Sequence, residues 1–338
     1  MTTGSDSTKA STASSRNRAR LRVLRAAAGV VVVALTVAAA IIAILRERHA
    51  FDDALSRLGT WNALASFALG TAGVGLTYPV WRSVLRGLDL TMPGGPGARV
   101  FFVSQLGKYL PGSIWPVLMQ MEAGRAHGAT RRTMLIANLF TLVLGCSTGL
   151  ALACVLLPLS DAHALAHYWW LFLALVVLLP LLHPRAMPAV INRAAALVHL
   201  GESEQQLPVR TTARATGFVL ASYLLLGAHV GLLAVAIGGG GFSTFVLCTG
   251  GMALALPAGV LFIPAPSGAG VRDVILALVL SYRLDAGQAL AVILSSRVLL
   301  IAVDLALAGG ATALVGLLRR RSQASSADVE SSSDTIGA

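Results

Sequence analysis

The chain has 338 residues, of which 56% are hydrophobic and only 12% charged, and its mean hydropathy is +0.75. A soluble globular protein carries roughly 25% charged residues, so this composition excludes that class and points to an integral membrane protein with little length left for a soluble domain. The net charge of +11, which in a soluble protein would suggest a nucleic-acid partner, must here be divided between the two sides of a membrane.

Residues 1–20 are rich in Ser, Thr, Ala and Arg with almost no bulky apolar side chains, and the stretch 1–22 reads as a disordered basic cytoplasmic tail. A first span is expected at about 26–45, too long for the apolar core of a signal peptide and so a retained anchor. Further spans are expected at 62–81, 134–157, 167–182 and 215–237. The last apolar stretch, 286–318, is either one long tilted helix or a short helix followed by a span, and a polar, disordered tail follows at 321–338. The stretch 183–214 contains "AVINRAAALVHLG" and suits either a surface helix or a connecting loop.

Two apolar regions resist this pattern. Residues 98–121 are broken by Pro111, Gly112 and Pro116, and residues 243–282 by "PAPSGAG" at 264–270. Each half reads as too short to cross, so both regions are expected to be re-entrant hairpins, tolerated only where other helices bury the broken backbone. The expected fold is therefore all-α and polytopic, with about six full spans (range six to eight) and two hairpins.

Arginine placement orients it. Six crossings collect 19 basic residues on one side, among them Arg82, Arg99, Arg125, Arg131 and Arg319, against Arg46, Arg48, Arg57 and Arg283 on the other. The positive-inside rule then puts both termini in the cytoplasm of a cell-membrane protein. Trp61, Trp169 and Trp170 fall at the outer interface and Trp81 at the inner one. The halves 62–182 and 215–318 look related, with an offset of about 155 residues. Three crossings separate the hairpins, which makes the repeat inverted and sets a site near the bilayer midplane.

The chemistry-bearing residues cluster at the breaks. "GKYLPGSIWP" at 107–116 contains Lys108, one of only two lysines. A half-helix starting at Ser113 would present free backbone N–H groups, an anion site with Lys108 beside it. The other reading is that Lys108 snorkels or pairs with a carboxylate such as Glu122. In the second break, Ser267 can cap a helix whose first turn carries Arg272 and Asp273, again either a donor beside a dipole end or a structural turn with a salt bridge. Arg297 and Asp304, seven residues apart, share one helix face as gating groups or as a structural pair. His229 reads as a hydrogen-bonded packing residue between Gly227 and Gly231, Gly145 and Gly149 as a second close-packing pair, and Cys146, Cys154 and Cys248 as small core residues. No nucleotide-binding, metal-ligand or nucleophile motif occurs, so neither an enzyme nor a cofactor is expected, and any transport runs downhill or on an ion gradient.

With "GKYLPGSIWP", "EAGRAHGATRR" and "PAPSGAGVRD" in this order, the chain resembles the transmembrane region of lysylphosphatidylglycerol synthases and their stand-alone, flippase-like relatives, over roughly residues 25–320. Lys108, Tyr109, Pro111 and Gly112 match the first motif; in the second, Ser267 stands for an expected glycine and Asp273 for a glutamate. The resemblance implies that residues 23–320 move anionic or aminoacylated phospholipids, or polyprenyl-phosphate-linked lipids, between leaflets. Lysyl transfer is not expected, because the polar tail follows where the synthases carry their transfer domain. The lipid phosphate would bind at Lys108, Tyr109, Pro111, Gly112, Ser113, Ser267, Gly268, Gly270 and Arg272, with Glu122, Asp273, Arg297 and Asp304 gating or coupling. A membrane scaffold that partners a separate lipid- or glycan-modifying enzyme is the alternative.

Overall fold

The computed structural model describes residues 56–110, 114–126, 128–160, 207–261 and 270–336, with isolated positions 169, 173, 176, 189 and 193. The described residues are helical apart from turns and short connectors, and no strand occurs among them. Five helices are long and apolar enough to cross a membrane: Thr60–Gly87, Arg131–Leu159, Val209–Ile237, Phe242–Leu261 and Ala286–Leu318. The spans expected at 26–45 and 167–182 lie outside the described residues.

The first of the five is jointed. Helix α1 (Thr60–Gly75) passes through Leu76 into α2 (Thr77–Gly87). Pro79 has no N–H to give the carbonyl four residues back, so the ladder is interrupted at this joint. Tyr78 and Trp81 of α2 pack with Phe101 and Phe102 of α3 (Gly94–Gln105), ring centroids 5.3–6.3 Å apart, and the Tyr78 hydroxyl donates to the Gly94 carbonyl oxygen at 2.7 Å. Trp81 is buried in this aromatic cluster, where its large ring packs on the Tyr and Phe side chains around it.

The first hairpin is two short helices. After α3 comes a 3-10 turn, Leu106–Tyr109, and then Leu110, held extended (φ −83°, ψ 146°) as a residue before proline must be. Helix α4 runs Trp115–Arg125 with Pro116 in its first turn. At 1.5 Å per residue the arms are each only about 18 Å long, well short of the ~30 Å core. Gln120 Nε2 donates to Ser104 Oγ at 2.9 Å between them, and a Cβ at Gly107 would sit 3.0–3.2 Å from Trp115 and Pro116, so the turn is pressed onto the start of α4.

Helix α5 (Arg131–Leu159) starts at Thr130, whose side chain accepts from Thr133 N. Helix α6 (Val209–Ile237) is central and packs on α1, α2 and α5, on α7 (Phe242–Leu261), and on the last helix α9 (Ala286–Ile336). Close approach is made by glycine: a Cβ at Gly227 would meet Thr249 at 2.2–2.5 Å, at Gly231 Phe245 at 2.5 Å, and at Gly149 Tyr223 at 2.5 Å. The expected partner of Gly149 departs from this: a Cβ at Gly145 would meet nothing within 4 Å, and only its carbonyl is used, by the Tyr223 hydroxyl at 3.1 Å.

The second hairpin is unequal. Helix α8 (Val271–Leu280) has ten residues and cannot cross alone, whereas α7 has 20 and can. The expectation that both halves are too short thus fails for α7, where Pro257 is carried inside the helix instead of ending it. Helix α9 opens with a reciprocal cap, Gln288 N to Asp285 Oδ1 at 2.8 Å and Asp285 N to Gln288 Oε1 at 3.3 Å. It then runs unbroken, so 286–318 forms one helix. No Gly or Pro stops it after Leu318, and the expected tail from 321 continues the helix to Ile336.

Candidate functional site

Two broken elements and one long helix meet at a small cavity of about 80 Å³. Its charged and polar lining is Lys108, Tyr109, Arg272, Arg297 and Asp304, and Val74, Leu226, Met252, Leu256, Leu300 and Ile301 close it. The 3-10 turn delivers Lys108 and Tyr109, α8 delivers Arg272 in its first turn, and α9 delivers Arg297 and Asp304 from one face two turns apart. A larger groove of about 370 Å³ lies elsewhere, between α3, α4 and α9, and carries Arg99 as its only charged residue.

Asp304 is the buried anion of the cavity, its side chain 3% exposed. Lys108 Nζ stands 2.7 Å from its Oδ2, and the Tyr109 hydroxyl donates to the same oxygen. Arg297 forms an ion pair with Asp273 on α8. Asp273 also accepts from Gly270 N at 3.2 Å, which caps α8. Gly270 has φ +87°, a conformation that glycine adopts without strain. The helix thus starts at Val271 on a glycine cap, three residues later than a Ser267 cap would place it.

Arg272 has no carboxylate in ion-pair contact among the described residues, although Asp273 and Asp304 act on it electrostatically from farther off. Among the described residues its side chain donates to the neutral Ser296 Oγ at 3.4 Å, and its Nε is buried without a partner. Ser296 in turn lies 3.0 Å from His229 Nε2, and His229 Nδ1 lies 2.9 Å from the Ser66 carbonyl oxygen. Ser66 Oγ donates to the His229 carbonyl at 3.1 Å. One proton arrangement satisfies all of these: Nδ1–H donates to Ser66 O, the Ser296 hydroxyl donates to Nε2, and Ser296 Oγ accepts from Arg272. His229 is hydrogen-bonded as well as packed, and through Ser296 it reaches the site.

Among the described residues, three cations therefore face the cavity while two carboxylates pair with them. Arginine stays protonated in proteins, so the lining keeps one positive charge in a low-dielectric surrounding. A buried charge of this kind is costly unless paired.

The expected residues divide into three groups. Lys108, Tyr109, Arg272, Asp273, Gly270, Arg297 and Asp304 come together at this cavity. Pro111, Gly112, Ser113, Ser267 and Gly268 lie outside the described residues. Glu122 is apart from the site: its exposed carboxylate pairs with Arg131 at 2.5 Å and Arg125 at 3.5 Å, so the carboxylate that meets Lys108 is Asp304. Ser296, Ser66 and His229 were not among the expected site residues. A polar residue directly before Arg297 in an apolar helix was the one available signal. Among the described residues, no group of three His, Cys, Asp or Glu side chains is placed to hold a metal ion. In comparisons with known proteins, no family model matches the chain and no curated protein matches it.

Proposed function

We propose that this chain translocates lipids with phosphate-bearing headgroups between the leaflets of the cell membrane, with both termini in the cytoplasm. The observation that carries the reading is the charge balance of the cavity: Arg272 sits among Lys108, Arg297 and Asp304 with no carboxylate in ion-pair contact among the described residues. A phosphate oxygen supplies the partner it lacks, and guanidinium–phosphate hydrogen bonds are among the strongest available.

The mechanism follows from the two ion pairs. Lys108–Asp304 ties the first hairpin turn to α9, and Arg297–Asp273 ties α8 to α9. An arriving phosphate competes with Asp304 for Lys108 and takes Arg272 directly. Loosening either tie frees a hairpin from α9, which supplies alternating access to a fixed midplane site. The phospholipid and polyprenyl-phosphate classes both present this phosphate.

Reconstitution into liposomes with labelled phospholipids and polyprenyl phosphates, read by accessibility to a membrane-impermeant quencher, tests the proposal. Exchange of at least one phosphate lipid well above protein-free vesicles is expected. Rates equal to protein-free vesicles across the panel would refute it and favour a scaffold that partners a lipid-modifying enzyme.

A further inference from the structure

The groove between α3, α4 and α9 lies outside the charged cavity and has its own chemistry. Pro96, Val100, Val103, Met119, Ala123 and Val315 give it an apolar lining, with Ser104 at one end of the α3 face and Arg99 toward the other. Its volume, about 370 Å³, falls within the roughly 300–1,000 Å³ of ligand pockets. In a chain that crosses a membrane, such a groove opens to acyl chains, and the remaining question is whether it selects among lipids.

The charge around its Arg99 end answers that. Arg99 has no carboxylate within ion-pair distance among the described residues, and neither has Arg82, whose guanidinium lies 3.5 Å from where a Gly94 Cβ would stand. Both flank the N-terminal turn of α3, the positive end of that helix's dipole. Val315 lines the groove and Leu318 approaches Gly95, so the exposed Arg320 follows on α9 directly beyond this end. The acid nearest on α4, Glu122, is already held by Arg131 and Arg125. An apolar trough thus ends in a basic rim with no carboxylate paired to it among the described residues.

We infer that this groove is a binding site for an anionic phospholipid of the cytoplasmic leaflet, one acyl chain lying along Val100, Val103 and Met119 and the phosphate resting on Arg99 and Arg82. The site does not depend on transport. A zwitterionic lipid of equal chain length fills the trough equally well but brings its own cation to a rim already positive, so selectivity follows headgroup charge and weakens with salt.

The full chain in nanodiscs, with a photoreactive acyl-chain phosphatidylglycerol or phosphatidylcholine as probe and peptide mapping as the readout, tests this. Phosphatidylglycerol is expected to label peptides of α3 and α4 about fivefold or more over phosphatidylcholine, as about 1 kcal/mol for each of two basic groups would allow. Arg99→Gln with Arg82→Gln is expected to erase that preference and keep acyl labelling, and Ala123→Trp, or Val103→Trp from the facing helix, to block labelling by both probes. Equal labelling by the two lipids in the unaltered chain, or unchanged labelling after both Trp substitutions, would overturn the inference.

Discussion

Lys108 Nζ and Asp304 Oδ2 stand 2.7 Å apart, and this pair fastens the turn of the first hairpin to the last helix. Because Asp304 is nearly fully buried and Lys108 keeps 29% side-chain exposure, removing the lysine strands a buried carboxylate. Lys108→Ala should cost about 3 kcal/mol, the lower end of what breaking a buried pair costs. Lys108→Ala with Asp304→Asn should recover most of it, since the amide still accepts from Tyr109. Thermal unfolding in detergent checks both; a double variant no more stable than the single one would show that the pair is not the source of the loss.

The glycine contacts separate two positions that look alike in sequence. At Gly227 a Cβ would overlap Thr249, including its Cα at 2.4 Å, so Gly227→Ala must push α6 from α7 and should cost about 1–3 kcal/mol. At Gly145 there is open space, and Gly145→Ala should leave stability unchanged or raise it by up to about 1 kcal/mol through helix propensity. Unfolding midpoints of the two single variants give the comparison. Equal losses would contradict the packing described.

Glu122 offers a pH test with a defined sign. The hydrogen bond from Arg131, the largest effect, together with the charge of Arg131 and the hydrogen bond from Arg125, holds its carboxyl below the ordinary glutamate value against the opposing pull of desolvation. A depressed carboxyl contributes stability that is present above its unfolded value and lost as pH falls through its folded one. The group is exposed, so the contribution is small and screened by salt. Its carboxyl carbon shift should therefore titrate below that of a free glutamate and move upward in high salt. Glu122→Gln should change lipid exchange by less than about twofold, because the residue is not at the cavity.

Much of this was legible from residue chemistry. Pro and Gly mark both breaks, and the apolar lengths of α1–α2, α5, α6 and α9 lie close to where hydropathy puts them. Lys108, Arg272, Arg297 and Asp304 stood out because an ionisable residue in an apolar run needs a reason. Who pairs with whom was not legible. Asp304 is far from Lys108 in the chain, and only the packing of the hairpin turn on α9 brings it nearer than Glu122. The register of Arg297 to Asp273 instead of to Asp304 likewise depends on how α8 lies on α9. The packing of Trp81 was not legible for a related reason: the Phe101 ring against it comes from α3, which is distant in sequence from the Trp81 turn.

The most direct test of the account is Arg272→Gln in the liposome exchange assay, run beside thermal unfolding of the same variant. Arg272 is half-buried, its Nε fully so, and it has no carboxylate in ion-pair contact among the described residues, so its removal should leave the unfolding midpoint equal or higher. Exchange of the phosphate lipid should fall by at least about tenfold, the loss of one charge-assisted contact. Unchanged exchange at equal protein level would contradict the assignment of this cavity to lipid phosphate.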